Sequence, residues 1–346
     1  MQLVAKILVF LLLTCEAHAL SSSATIRIGS RPSKLALVQA KTFQQSLHDV
    51  IPTIKTEIVS IDASGDNISP IAASQDVPLA MKGVDFVGSL DAALADGTID
   101  VAVHSLKDIP PDNRWKDDLV IGSYSDREDP LDVLVSDGYS TLSDLPKNAR
   151  VGSASIRRQA QLLSLRPDVE VVNIRGNVQA RIAALERGDV DALILAAAGL
   201  ERLSKSEPDG IAPHHRISLD DMLPGAGQGI VAAVCRKDDD RLLSLLELID
   251  NASSRISAVA ERAFLDAIDT MQHNWPGRPP VAAFMSLDDH EWTFRGMLLT
   301  PDGTKKVGAL HRLPQNCSSS DAFELGTRAG YEVREKAGTS FFVDTK

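Results

Sequence analysis

Seven basic residues, Arg31, Lys107, Arg157, Arg158, Arg175, Arg181 and Arg202, stand in or just beyond loops that follow short apolar, β-rich runs. Guanidinium forks suit carboxylates and phosphates, so several of them brought together would bind a polyanion. The hydroxyls of Ser33, Ser153 and Ser155 lie in the same stretches, as auxiliary donors or as helix N-caps. One acid stands among these bases: Asp108, which with Lys107 ends the run VAVHS. In a cationic pocket it would stay ionised, to stabilise a cationic intermediate or handle a proton. Its other reading is a cap or salt bridge for the next loop. The pair Arg157-Arg158 opens the helix expected from SIRRQAQL, where the helix dipole disfavours cations unless an anion arrives.

The elements that must position these residues form a pattern used twice. AALADGTIDVAVHS, from Ala92, and AALERGDVDALILA, from Ala183, each read as the end of an amphipathic helix, a boundary glycine, an aspartate and a strand. The repeat predicts two similar α/β lobes with buried strands of the parallel kind. In open α/β sheets the ligand sits beyond the carboxyl ends of strands. IRIGSRPSKLALVQA, VAVHSLKDIP, VGSASIRRQAQL and VVNIRGNVQARI all place their polar residues there, so the loops are expected to face one cleft. After about Arg236 the character changes. The helix RLLSLLELIDNASSRISAVAERAFLDAI, the strands VAAFMSL and WTFRGMLLT, and the terminal helix DAFELGTRAGYEVREKA predict a small α+β domain over 241–346.

A chain of 346 residues favours two or three domains. The formal net charge of −11 excludes a generic nucleic-acid binder, so any anion site is local. Residues 1–19 combine Lys6, an apolar run from Ile7 to Leu13, and Ala17-His18-Ala19, the pattern of a secretory signal too short to span a bilayer. The following LSSSAT reads as a plastid transit remnant, so the destination is plastid or secreted and the mature form needs no membrane. Of three cysteines, Cys15 leaves with the signal, and Cys235 and Cys317 make no disulfide framework or CxxC pattern. His214-His215 lacks partners at ligand spacing, and no metal is expected. PGAGQG at 224–229 lacks the order of a dinucleotide loop, and no P-loop is present.

IRIGSRPSKLALVQA, ASGD, DVAVHSLKDIP, DREDPLD, VGSASIRRQAQL, VNIRGNVQARI, DALILAAAGLERL and LPGAGQGIVAAVCR occur in this order, and the series resembles the hydroxymethylbilane synthase (porphobilinogen deaminase) family over most of 25–236. The resemblance implies an α/β fold of two periplasmic-binding-protein-like lobes plus a small α+β C-terminal domain. The first lobe would be 25–122 with a returning segment 214–238, the second 123–213. Four porphobilinogen molecules would be joined head to tail, each losing ammonia, to give hydroxymethylbilane for porphyrin synthesis by a monomer. Growth would start on a dipyrromethane cofactor bound to a cysteine. By resemblance Asp108 is catalytic. Arg31, Ser33, Lys107, Ser153, Ser155, Arg157, Arg158, Arg175, Arg181 and Arg202 would contact cofactor or substrate, whose acetates and propionates the arginine pair would await.

Three departures stand against the family pattern. Gly88 and Ser89 replace a usual Lys-Glu pair, and Leu131 replaces a usual arginine. The anchoring cysteine is missing: counting forward from Glu261 puts its position at Gln272, and counting back from Pro280 puts it at Gly277. Dipyrromethane is therefore expected not to be covalently attached. The alternative to an active synthase is an inactive paralogue that binds porphobilinogen or another polycarboxylate without turnover.

Overall fold

The computed structural model describes residues 25–62, 87–111, 117–206, 214–270 and 278–342. The signal, the ASGD motif, Gln272 and Gly277 lie outside them. Short β-rich runs, the central ones apolar and buried on both faces, form the strands of two sheets. In the first lobe these are β1 (Ile26–Ser30), β2 (Thr56–Ser60), β3 (Val101–Ser105), β4 (Leu119–Tyr124) and, from far along the chain, β10 (Val231–Arg236), in the order β2-β1-β3-β10-β4. In the second they are β5 (Asp132–Val135), β6 (Arg150–Gly152), β7 (Glu170–Val172), β8 (Ala192–Ala196) and β9 (His214–Arg216), in the order β7-β6-β8-β5-β9.

The two sheets repeat one plan. Three parallel strands meet a fourth, antiparallel strand that has crossed from the other lobe: β10 in the first sheet, β5 in the second. β9 pairs with β5, so His214–Arg216 belongs to the second sheet and not, as its sequence position suggested, to the returning segment. Helices α1 (Lys34–Val50) and α2 (Gly88–Ala95) serve the first lobe; α3 (Ile156–Leu165), α4 (Val178–Glu186) and α5 (Ala197–Ser206) serve the second.

The duplicated motif is duplicated in detail. Gly97 and Gly188 take φ of 74° and 75°, the left-handed conformation that ends a helix without a Cβ penalty. An aspartate just beyond each pairs with an arginine on a neighbouring parallel strand: Asp100 with Arg27 of β1 and Asp191 with Arg150 of β6, both at 2.7 Å. Each aspartate also accepts that arginine's backbone N–H. The repeat thus ties the helix–strand turn to the neighbouring strand.

Beyond the lobes come α6 (Asp240–Glu247), α7 (Ala252–Asp269), a meander of β11 (Val281–Asp288), β12 (Glu291–Leu299) and β13 (Lys306–Pro314), and α8 (Ser319–Ala337). The single helix expected from Arg241 to Ile268 is two. Asn251 breaks it by capping α7, its side chain accepting from the Ser254 N–H. α6 buries Leu242, Leu245 and Leu246 against the first sheet, so 241 is not where the third unit's core begins. β13 was not anticipated, because it is an edge strand with Lys306, Gly308 and Arg312 on its outer face. α7 and α8 cover the meander around Phe264 and Phe294. A Cβ at Gly326 would lie 2.1 Å from the Ala260 carbonyl oxygen, so glycine permits this close helix contact.

One carboxylate ties the third unit to both crossovers between the lobes. Glu261 of α7 is fully buried, pairs with Arg127 at 2.6 Å and accepts from the Gly227 and Met285 N–H groups. Arg127 in turn donates to the Gln228 carbonyl and stacks over Phe284.

Candidate functional site

The cleft is built from strand ends. After β3 the chain makes a single 3₁₀ turn, Leu106–Asp108, before Pro110 and Pro111 forbid its continuation. Leu106 is buried beneath Gly227, where an added Cβ would lie 2.6 Å away, and its N–H donates to the Ile230 carbonyl. Arg262 of α7 holds the far side by donating to the Pro110 carbonyl. Lys107 and Asp108 are thereby aimed outward from a fixed turn.

Helix starts supply the rest. Ser33 caps α1 and Asn177 caps α4, each side chain accepting an N–H from the first turn. Gly176 precedes Asn177 with φ of 99°, and Arg181, one turn into α4, donates to its carbonyl. Arg202 on α5 is buried and donates to the Gly229 carbonyl at 2.6 Å. Amides at helix starts favour anions.

These parts enclose a cavity of about 210 Å³. Arg31, Ser33, Lys107, Asp108, Arg158, Arg181 and Arg202 line it, as do Gln39, Ser105 and Asn177, which the sequence reading missed. Gln39 lies one helical turn beyond Leu35, which also lines the cavity, so its face on α1 was the available signal. Ser153, Ser155, Arg157 and Arg175 do not line the cavity. Ser153 instead accepts the Ser155 N–H in the turn before α3.

The arginine pair already has a partner. Asp132, at the start of β5 and fully buried, meets Arg157 at 2.7 Å and Arg158 at 2.8 Å. Arg157 donates its remaining reach to the Leu223 carbonyl and is framework. Arg158 donates also to the Ile194 carbonyl and still presents an edge to the cavity. Burial alone would raise the Asp132 pKa; the two guanidiniums and a hydrogen bond from Gln228 outweigh it and hold the carboxylate below the ordinary range. Gln228 bridges the lobes, because its other amide atom, Oε1, accepts from Lys107 at 3.2 Å.

The cavity's electrostatics follow from crowded cations. Burial, then Arg158, pushes the Lys107 pKa down to about 8, although its side chain keeps an exposed edge whose water limits the effect. Burial and Arg158 likewise bring Arg181 down to about 10, and burial lowers Arg202. Among the described residues five cations, Arg31, Lys107, Arg158, Arg181 and Arg202, thus share the cavity with one acid, Asp108. Asp108 makes no hydrogen bond or ion pair with any described residue, so it does not serve as the cap or salt bridge that its sequence position also allowed. A carboxylate presented to a cationic hollow can offset positive charge on a ligand that the surrounding arginines hold by its own carboxylates.

Residues 26–244 match the family model described as porphobilinogen deaminase, dipyromethane cofactor binding domain. The chain belongs to the porphobilinogen deaminase family. It is 40% identical over 284 residues to the porphobilinogen deaminase of Syntrophotalea carbinolica, covering 82% of this chain and 85% of that protein. It is 37% identical over 335 residues to the chloroplastic porphobilinogen deaminase of Oryza sativa subsp. japonica, covering 94% and 88%. Among solved structures, the periplasmic aliphatic sulphonate binding protein SsuA from Escherichia coli aligns with a TM-score of 0.37 at 19% identity, over 71% of this chain and 70% of that one.

The cations of the cleft fit a pyrrole group that carries an acetate and a propionate on every ring. The thiols do not fit an anchor for it. Cys235 is buried on β10, and burial pushes its thiol up to about 12. Cys317 packs at the edge of the third unit's core, its thiol raised by burial and by Asp321. Neither lines the cavity, and a thiol kept protonated is a poor nucleophile.

Proposed function

We propose that the cleft binds porphobilinogen and pyrrole chains built from it, and that the protein joins four porphobilinogen units head to tail, releasing ammonia, to form hydroxymethylbilane. The observation that carries this reading is the gathering, among the described residues, of five cations around one carboxylate without a hydrogen bond or ion pair, Asp108, at the strand ends of both lobes. Arg31, Arg158, Arg181 and Arg202 hold acetates and propionates, each charge-assisted contact contributing about 1.5–3 kcal/mol. Asp108 accepts from pyrrole N–H groups and opposes the positive charge that develops as an amine leaves. Dipyrromethane, when bound, supplies the pyrrole carbon on which growth begins, and the same cations would hold it without a thioether. The first 19 residues act as a secretory signal, the destination is a plastid by bipartite targeting or secretion, and the mature chain works as a monomer on small molecules.

The alternative, a second reading, is an inactive paralogue that binds porphobilinogen or another polycarboxylate without turnover. Incubation of the full chain with porphobilinogen, acid oxidation and measurement of uroporphyrin absorbance separates the two. Absorbance that grows with time supports condensation. Calorimetric binding without absorbance supports the second reading, and the lack of both overturns the two together.

A further inference from the structure

We infer that Lys107 joins covalently to porphobilinogen, through a carbon–nitrogen bond between its Nζ and the aminomethyl carbon of the substrate. This rests on the reading that the cleft takes porphobilinogen, and it assigns the protein an attachment site of its own.

Among the described residues Lys107 is the one amine lining the cavity, set among guanidinium groups that do not act as nucleophiles. The hydroxyls there are engaged: Ser33 caps α1 and Ser105 accepts from Gln39. Lys107 has a single hydrogen bond among the described residues, to Gln228 at 3.2 Å, and no ion pair, although Asp108 is its neighbour in sequence. An amine set beside Arg158 and the other cations that line the cavity is disfavoured in its charged form, the arrangement that makes an amine nucleophilic even where its side chain is exposed. Its pKa near 8 leaves about a tenth of it neutral at pH 7. The arginines that would orient the substrate's carboxylates line the same hollow, so binding brings the aminomethyl group to the amine.

The step exchanges one amine for another. The pyrrole nitrogen's electron pair expels ammonia from the aminomethyl carbon, breaking that carbon–nitrogen bond and leaving an exocyclic methylene. The neutral Lys107 amine adds to this carbon, and the new bond is carbon–nitrogen again. The added nitrogen gives up a proton, which the departing ammonia takes, and the pyrrole electron pair is restored. No oxidant or reductant enters. The Asp108 carboxylate, beside it in sequence and with no hydrogen bond or ion pair among the described residues, offsets the charge while the methylene exists. Protonation of the linked nitrogen recreates a leaving group like that of the substrate, so this attachment is reversible where a thioether would persist.

The test is intact mass of the full chain after incubation with porphobilinogen near pH 8, quenched without acid, with peptide mapping and calorimetry on the same samples. The expected result is a gain of one porphobilinogen less ammonia, mapped to the peptide holding Lys107 and absent from Lys107→Arg. Porphobilinogen bound by calorimetry with an unchanged mass overturns the inference and leaves the binding reading intact. A gain mapped to any other residue, with Cys317 the first to examine, also overturns it. No binding at all overturns both.

Discussion

Asp132 Oδ2 lies 2.7 Å from Arg157 Nη1, in a place neither side chain shares with bulk water. This contact turns one of two adjacent arginines from a ligand contact into framework. Breaking a buried pair from one side leaves the other charge uncompensated, a loss of about 3–5 kcal/mol. Arg157→Ala should therefore lower stability by about that amount in denaturant titration. A folded-state stability equal to the parent's would return Arg157 to the ligand and make Asp132 a partner of Arg158 alone.

Asp108→Asn keeps shape and removes charge. Because the Asp108 side chain makes no hydrogen bond or ion pair with a described residue, the melting temperature should stay level, and porphobilinogen should still bind. Turnover, measured as uroporphyrin absorbance, should fall by orders of magnitude, since charge stabilisation acts on the chemical step. Unchanged turnover would remove Asp108 from the chemistry.

What the sequence made legible was local. The two helix–glycine–aspartate–strand units were visible because each fits inside fifteen residues, and the loops after strands named most of the cavity's cations. The Asp132 network was invisible, since its members come from β5, α3 and the crossover at Gln228, 96 residues apart at the widest hydrogen bond. PGAGQG, set aside as a nucleotide-loop lookalike, proved to be that crossover, with Gly227 at φ 74° over Leu106 and Gln228 between the lobes. β13 was missed because an edge strand with a polar outer face carries too weak an alternation.

Lys107 gives carboxylate binding a pH limit. Its folded pKa, about 8, lies below the ordinary 10.5, so in the free protein it loses its charge early as pH rises. Porphobilinogen affinity should weaken as pH passes upward through about 8, and Lys107→Arg should abolish that step. A flat profile in the parent would mean that Lys107 keeps its proton throughout.

His104, buried on β3 with Nε2 unpartnered, is held neutral by burial and by Arg31, its pKa near 4. Between pH 6.5 and 4 the unfolded chain binds a proton there and the folded chain does not. Stability contributed by neutral His104 is full above pH 6.5 and declines by roughly 3 kcal/mol as pH falls to 4. His104→Leu should flatten that portion of the stability profile; an unaltered slope would show that other groups set it.

Calorimetric titration of the full chain with porphobilinogen at pH 7, beside Arg181→Ala, tests the cationic cleft most directly. Arg181 donates to one carbonyl and otherwise faces the hollow, so its loss should leave the fold intact. Saturable one-site binding that weakens about tenfold or more in the variant, equivalent to about 1.4 kcal/mol, is the expected result. No binding by the parent, or equal affinity in both proteins, would contradict a cleft that recognises pyrrole carboxylates.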